Sequence, residues 1–160
     1  MILISHRGNI SGALPELENN PSYIEKALLR GYNVEIDVWK VGKEFYLGHD
    51  SPDYAIDIEF LKNDMLWCHA KNIEALDEMI SEGIHCFWHH TDRYTITSNG
   101  IIWSGPDSKL SESCVWVMPE KSKQFIEKRI SFDNCLGVCT DIVEKIEMEI
   151  ESRRINFSEK

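Results

Sequence analysis

Short apolar runs alternate with longer amphipathic ones along this chain, and that alternation limits what it can fold into. Strand-like runs rich in Val, Ile, Trp and Phe occupy 2–5, 33–41, 44–48, 65–70, 85–89, 100–103, 114–118 and 136–139. Helical spacing predicts helices over 20–30, 58–63, 72–82, 120–130 and 141–153. In the first of these, Tyr23, Ile24, Ala27 and Leu28 recur on one face and Gly31 ends the helix. In the third, Ile73, Leu76 and Ile80 do the same before Gly83. Strand, helix and strand in series imply right-handed crossovers and a parallel sheet, an α/β fold.

Length then narrows the choice. The chain has 160 residues and no linker, repeat or low-complexity tract, so 1–160 reads as a single domain. A full eight-unit barrel takes about 200 residues or more. The shortfall has a location: 92–98 and 105–114 leave no room for a crossover helix. The expected architecture is a reduced TIM-type (β/α) barrel with some outer helices missing. Apolar strand surface left bare on that flank makes a homodimer a further expectation.

Composition excludes several classes. The net charge of −10 argues against nucleic acid or an anionic membrane surface as partner, since both reward a basic face. No run approaches the ~18 apolar residues of a membrane span. Met1-Ile2-Leu3-Ile4 is too short for a signal peptide and lacks a basic segment before it. The five cysteines are odd in number and lie mostly in apolar runs, which points to free buried thiols and a cytoplasmic protein.

The ionisable residues concentrate where the strands end, and active residues of parallel barrels sit at the carboxyl ends. His6 and Arg7 end the first strand, combining an acid/base group with a phosphate clamp. Glu35 and Asp37, two apart on a strand, point the same way and can grip a hard cation. His49 and Asp50 end the hairpin strand. His69 and Lys71 end the next, again two apart. His89, His90 and Asp92 end the strand after, behind Phe87-Trp88, where one of the two histidines must face the barrel interior or mouth, and Thr140 and Asp141 close the last strand. Trp67, Trp88, Trp103 and Trp116 lie on successive strands; most are expected in the core, with Trp103 a candidate platform for substrate.

These motifs bring the chain close to a family. Ser5-His6-Arg7-Gly8, then Glu18-Asn19-Asn20-Pro21 opening a helix, then Gly31, Glu35-Ile36-Asp37-Val38, His49-Asp50 and finally Gly137-Val138-Cys139-Thr140-Asp141 occur in one order. In this the chain resembles the glycerophosphodiester phosphodiesterase family, within the phospholipase-C-like phosphodiesterases. The resemblance is strongest over 1–50. It implies His6 and His49 as general acid and base, and Glu35, Asp37 and Glu18 at the metal. It also implies Arg7 and Lys71 on the phosphate. His69 stands where the family has a glutamate. An imidazole there leaves Mg²⁺ or Ca²⁺ as the expected ion and admits Mn²⁺ or Zn²⁺. His89 and Trp103 complete the expected substrate-binding residues. The implied activity is metal-dependent hydrolysis of a glycerophosphodiester, or of a sugar or polymer phosphodiester. The alternatives are a non-hydrolytic phosphate- and metal-binding relic, and a lyase releasing a cyclic phosphate. Only fourteen residues, 51–64, follow His49-Asp50 before the next strand, so the pocket is expected to be open on that side.

Overall fold

The computed structural model describes residues 1–127 and 131–158. The chain order is β1 (Ile2–His6), α1 (Pro21–Leu29), β2 (Asn33–Val41), β3 (Glu44–Leu47), β4 (Tyr54–Ile56), α2 (Ile58–Leu61), β5 (Leu66–Ala70), α3 (Ile73–Ser81) and β6 (Cys86–Phe87). Then come β7 (Tyr94–Ile96), β8 (Ile102–Ser104), β9 (Cys114–Val117), a 3₁₀ turn (Pro119–Lys121), α4 (Lys123–Ile126), β10 (Gly137–Thr140) and α5 (Val143–Ser158). The helix expected over 120–130 is thus split into a 3₁₀ turn and one α-turn, and its last residues, 128–130, lie outside the described residues.

The strands form one curled, mixed sheet. Strands β6, β5, β2, β1, β10, β9 and β8 run parallel in that spatial order. The far half of β2 turns away from this series and pairs antiparallel with β3, which pairs with β4; β7 pairs antiparallel with β8. No helix separates β6 from β9, which is the flank where the chain was too short for one. The architecture is an α/β partial barrel. Among the described residues, no helix is long and apolar enough to cross a membrane.

Side-chain alternation sorts the sheet into an outer and an inner face. On β2, Val34, Ile36 and Val38 face outward onto Ile24 and Ala27 of α1 and Ala75 and Met79 of α3. Cys114, Trp116 and Val138 likewise pack under Ile146 of α5. The helices cap cleanly: Asn20 accepts from Ser22 N, and Asn72 from Ala75 N. The inner face holds Ile4, Trp67, Phe87, Trp103, Val115 and Cys139 in one buried cluster. Trp103 of β8 lies 4.7 Å from Phe87 of β6, ring centre to ring centre, so curling brings the two flanks of the sheet together over a shared apolar plug. All five cysteines are free and buried.

Candidate active site

One register step above the plug, the inner face turns from apolar to ionic. His6 stands beside Glu35 across the β1–β2 ladder, and Asp37 beside His69 across β2–β5. Their inward direction follows from the same alternation that buries Val34, Ile36 and Val38 outside.

Asp37 is fully buried and surrounded by donors. Oδ2 accepts from Asn19 Nδ2 at 2.9 Å and lies 2.8 Å from Arg7 Nε, an ion-pair contact in which the N–H does not aim at the oxygen. Oδ1 faces His69 Nδ1 at 3.0 Å and Lys71 Nζ at 3.4 Å. Burial alone would raise its pKa. The His69 hydrogen bond and the charges of Arg7, His69 and Lys71 outweigh that and hold the carboxyl well below the usual carboxylate range. Asn19 is itself left-handed (φ 62°), a conformation asparagine tolerates, and its Oδ1 accepts from Asp37 N at 2.9 Å. Arg7 is also left-handed (φ 53°), and Gly8 follows at φ 92°, where a Cβ would meet the Tyr23 ring at 2.7 Å. This bend turns the guanidinium back onto Asp37.

Glu35 has the opposite character. It is buried beside Asp37, and both facts push its pKa up against the pull of His6, Arg7 and His69. Its Oε2 has no hydrogen-bond partner and lies 3.8 Å from His6 Nε2, while its Oε1 lies 3.8 Å from His69 Nδ1. One oxygen each of Glu35 and Asp37 and one nitrogen of His69 all lie within 4.8 Å of one another. Two carboxylates, one of them carrying an orphaned buried oxygen, and an imidazole suit a divalent cation. Both ring nitrogens of His69 face acceptors, Nε2 the His89 carbonyl at 2.8 Å and Nδ1 Asp37 Oδ1 at 3.0 Å, so the His89 carbonyl fixes the ring and Nδ1 would give up its proton to take a cation.

His6 is oriented from the other side. Its Nδ1 lies 2.7 Å from Asp141 Oδ1, which also accepts from Asn9 Nδ2 at 2.8 Å, while Asp141 N donates to Glu120 Oε1 at 3.0 Å. Burial works to lower the His6 pKa; the Asp141 hydrogen bond and the Glu35 charge prevail and raise it. Asp141 is in turn held below its ordinary value, burial being outweighed by His6 and Asn9. Nε2 is left facing Glu35 and the site.

The other expected residues are placed as follows. Lys71 and Arg7 join the cluster through Asp37. Glu18 stands apart from the three ligand groups: it binds Arg7 Nη1 at 3.0 Å and Asn9 Nδ2 at 2.9 Å, so in this arrangement it orients Arg7 rather than facing a metal. His49 is 43 % exposed and pairs with Asp50 at 2.8 Å; among the described residues no hydrogen bond or ion pair joins it to His6 or to the Glu35–Asp37–His69 group. Its loop is nevertheless tied to the site, since Gly48 N donates to the Asp37 carbonyl at 3.1 Å. His89 supports His69 through its backbone, and its own Nδ1 is buried without a partner. Trp103 is only 4 % exposed and belongs to the apolar plug, a packing position rather than one open to substrate. Asn9, Asn19 and Asp141 carry orienting roles that the sequence reading did not assign. The available signal was position: Asn19 and Asp141 lie within the quoted motifs, and Asn9 follows Gly8.

Comparison of the chain with family models, with curated proteins and with solved structures yields no match.

Proposed function

We propose that the chain is a metal-dependent phosphodiesterase of the glycerophosphodiester phosphodiesterase type, built on a reduced TIM-type barrel. The observation that carries this reading is the Glu35–Asp37–His69 cluster, with its ligand atoms within 4.8 Å, set between an aspartate-oriented histidine and two cations. Glu35, Asp37 and His69 would hold a divalent ion, Mg²⁺ or Ca²⁺ for the two hard carboxylates and Mn²⁺ or Zn²⁺ for the imidazole, which would supply positive charge for the phosphoryl oxygens. Arg7 and Lys71 turn from Asp37 to the non-bridging oxygens and neutralise charge that grows in the transition state.

His6, held by Asp141 with Nε2 toward the site, transfers one proton, and the imidazolium it forms is stabilised by that carboxylate. His49, on the loop tied to Asp37, transfers the other. One takes the proton of the attacking oxygen and the other returns one to the leaving oxygen as its bond to phosphorus breaks. A second reading, a non-hydrolytic phosphate- and metal-binding protein, is favoured by the pairing of His49 with Asp50 alone.

The test is turnover of bis(p-nitrophenyl) phosphate and glycerophosphocholine with and without Mg²⁺, Ca²⁺, Mn²⁺ and Zn²⁺, beside His6→Ala and His49→Ala. Metal-dependent turnover lost in both variants supports the hydrolase, and a cyclic phosphate in the phosphorus NMR spectrum turns the reading to a lyase. Metal bound in calorimetry without turnover supports the binding protein. Neither metal bound nor substrate turned over rejects both.

A further inference from the structure

A cavity of about 420 Å³ opens beside the site. His89, Thr91, Asp92, Arg93, Asp107 and Lys121 line it, with the Gly105-Pro106 turn and Ser108. It lies past the ends of β6, β8 and β9, on the same rim as His6, Asp37, His69 and Asp141. Both halves of the site touch its walls. His89 is the residue whose carbonyl orients His69. Lys121 follows Glu120, which holds the backbone of Asp141, and its charge reaches Asp141.

The chemistry of this cavity is unused by the phosphodiesterase reaction. Neither Arg93 nor Lys121 has a carboxylate within ion-pair distance among the described residues, in a chain of net charge −10. Asp107 Oδ1 accepts from Lys123 N at 3.1 Å, whereas Asp92 makes no hydrogen bond or ion pair among the described residues. The buried His89 Nδ1 lacks a partner. Two cations without ion-pair partners and two carboxylates, Asp92 and Asp107, in the lining of one cavity match a zwitterion better than a neutral polyol or a lone cation.

We propose that this cavity is the subsite for one alcohol of the phosphodiester, and that it selects an alcohol bearing both a carboxylate and an ammonium, the first on Arg93 and Lys121 and the second on Asp92. This inference rests on the phosphodiesterase reading for its position, and the test separates the two. Glycerophosphoserine and glycerophosphoethanolamine differ by one carboxylate. The wild type should favour the serine ester in kcat/KM by about tenfold or more, because a site built for a charged group leaves that group's partners unpaired with the analogue. In Arg93→Gln/Lys121→Gln the ratio should fall toward one. Turnover with no preference, or a preference that survives the double variant, overturns the subsite and leaves the phosphodiesterase standing. O-phosphoserine binding in calorimetry gives a readout independent of turnover. Binding that the double variant weakens about tenfold, in a protein that turns over neither ester, keeps the cavity as a site for a zwitterion, overturns its role as a reaction subsite and turns the reading to the phosphate- and metal-binding protein. No binding and no turnover rejects both.

Discussion

Asp141 shows how one residue sets the chemistry of another from across the chain. Its carboxylate fixes the His6 ring and favours its protonated form, so the two titrate as partners. The carboxyl is held below its ordinary value of 3.8, so its share of stability is present above that pH and is lost as pH falls. His6 is held above its ordinary 6.5, so its share is present below that pH and is lost as pH rises through the folded value. For metal-free protein, wild type should therefore exceed Asp141→Asn in thermal stability most between about pH 4 and 6.5, by about 1–3 kcal/mol, with the gap closing on both sides. Thermal melts of the pair across pH check it; a gap that does not vary with pH denies the charge coupling. In turnover the same variant should lose about 10²-fold or more in kcat. His6, Arg7, Glu35 and Asp37 were legible because each lies in a local strand-end motif whose residue types themselves name a role, as acid/base, phosphate clamp or cation ligand; Asp141 lies in such a motif too, but its role depends on the His6 ring. Asp141, Asn9 and Asn19 act through contacts that sequence spacing does not report.

At the scale of the element, β2 decides the site. Its alternation sends Val34, Ile36 and Val38 out to the helices and Glu35 and Asp37 inward, and this was readable from spacing alone. The register that sets Glu35 beside His6 and Asp37 beside His69 was not, because it depends on how β1 and β5 settle against β2. Strands β4 and β7 escaped for a related reason. Tyr54–Ile56 and Tyr94–Ile96 are too short to show a period, and antiparallel pairing with β3 and β8 defines them.

Two turns hold β2 in place. Asn19 bridges Asp37 through both of its side-chain polar atoms, so Asn19→Ala should cost about 2–3 kcal/mol in urea unfolding by leaving a buried carboxylate and N–H short of partners. Gly48, at φ 151°, has no room for a Cβ, which would stand 2.0 Å from the Ser51 carbonyl. Gly48→Ala should cost about 1–3 kcal/mol and displace the His49 loop from Asp37. Stability equal to wild type would show the turn to be freely remodelled.

The whole molecule is a curled sheet whose interior changes character along its axis. A plug of Ile4, Trp67, Phe87, Trp103, Val115 and Cys139 fills one end, and buried charges crowd the other. Trp103→Ala would open a void where the two flanks meet and should cost about 3–5 kcal/mol. The ionic end is a standing expense of another kind. Glu35 sits buried next to Asp37 with an unpartnered oxygen, and its raised pKa means that the ionised pair is disfavoured in the metal-free fold. A cation that binds only the folded chain relieves this and stabilises it by mass action. At a hundredfold its Kd it adds about 2.7 kcal/mol, a rise in Tm of about 5–10 °C for a domain of this size. Mg²⁺, Ca²⁺, Mn²⁺ and Zn²⁺ titrated against thermal melts, with chelator to reverse the shift, test this directly. Glu35→Gln should raise the metal-free Tm while abolishing the metal-dependent rise, because it removes the buried charge and a ligand together. A variant that lowered the metal-free Tm and kept the rise would place the ion elsewhere.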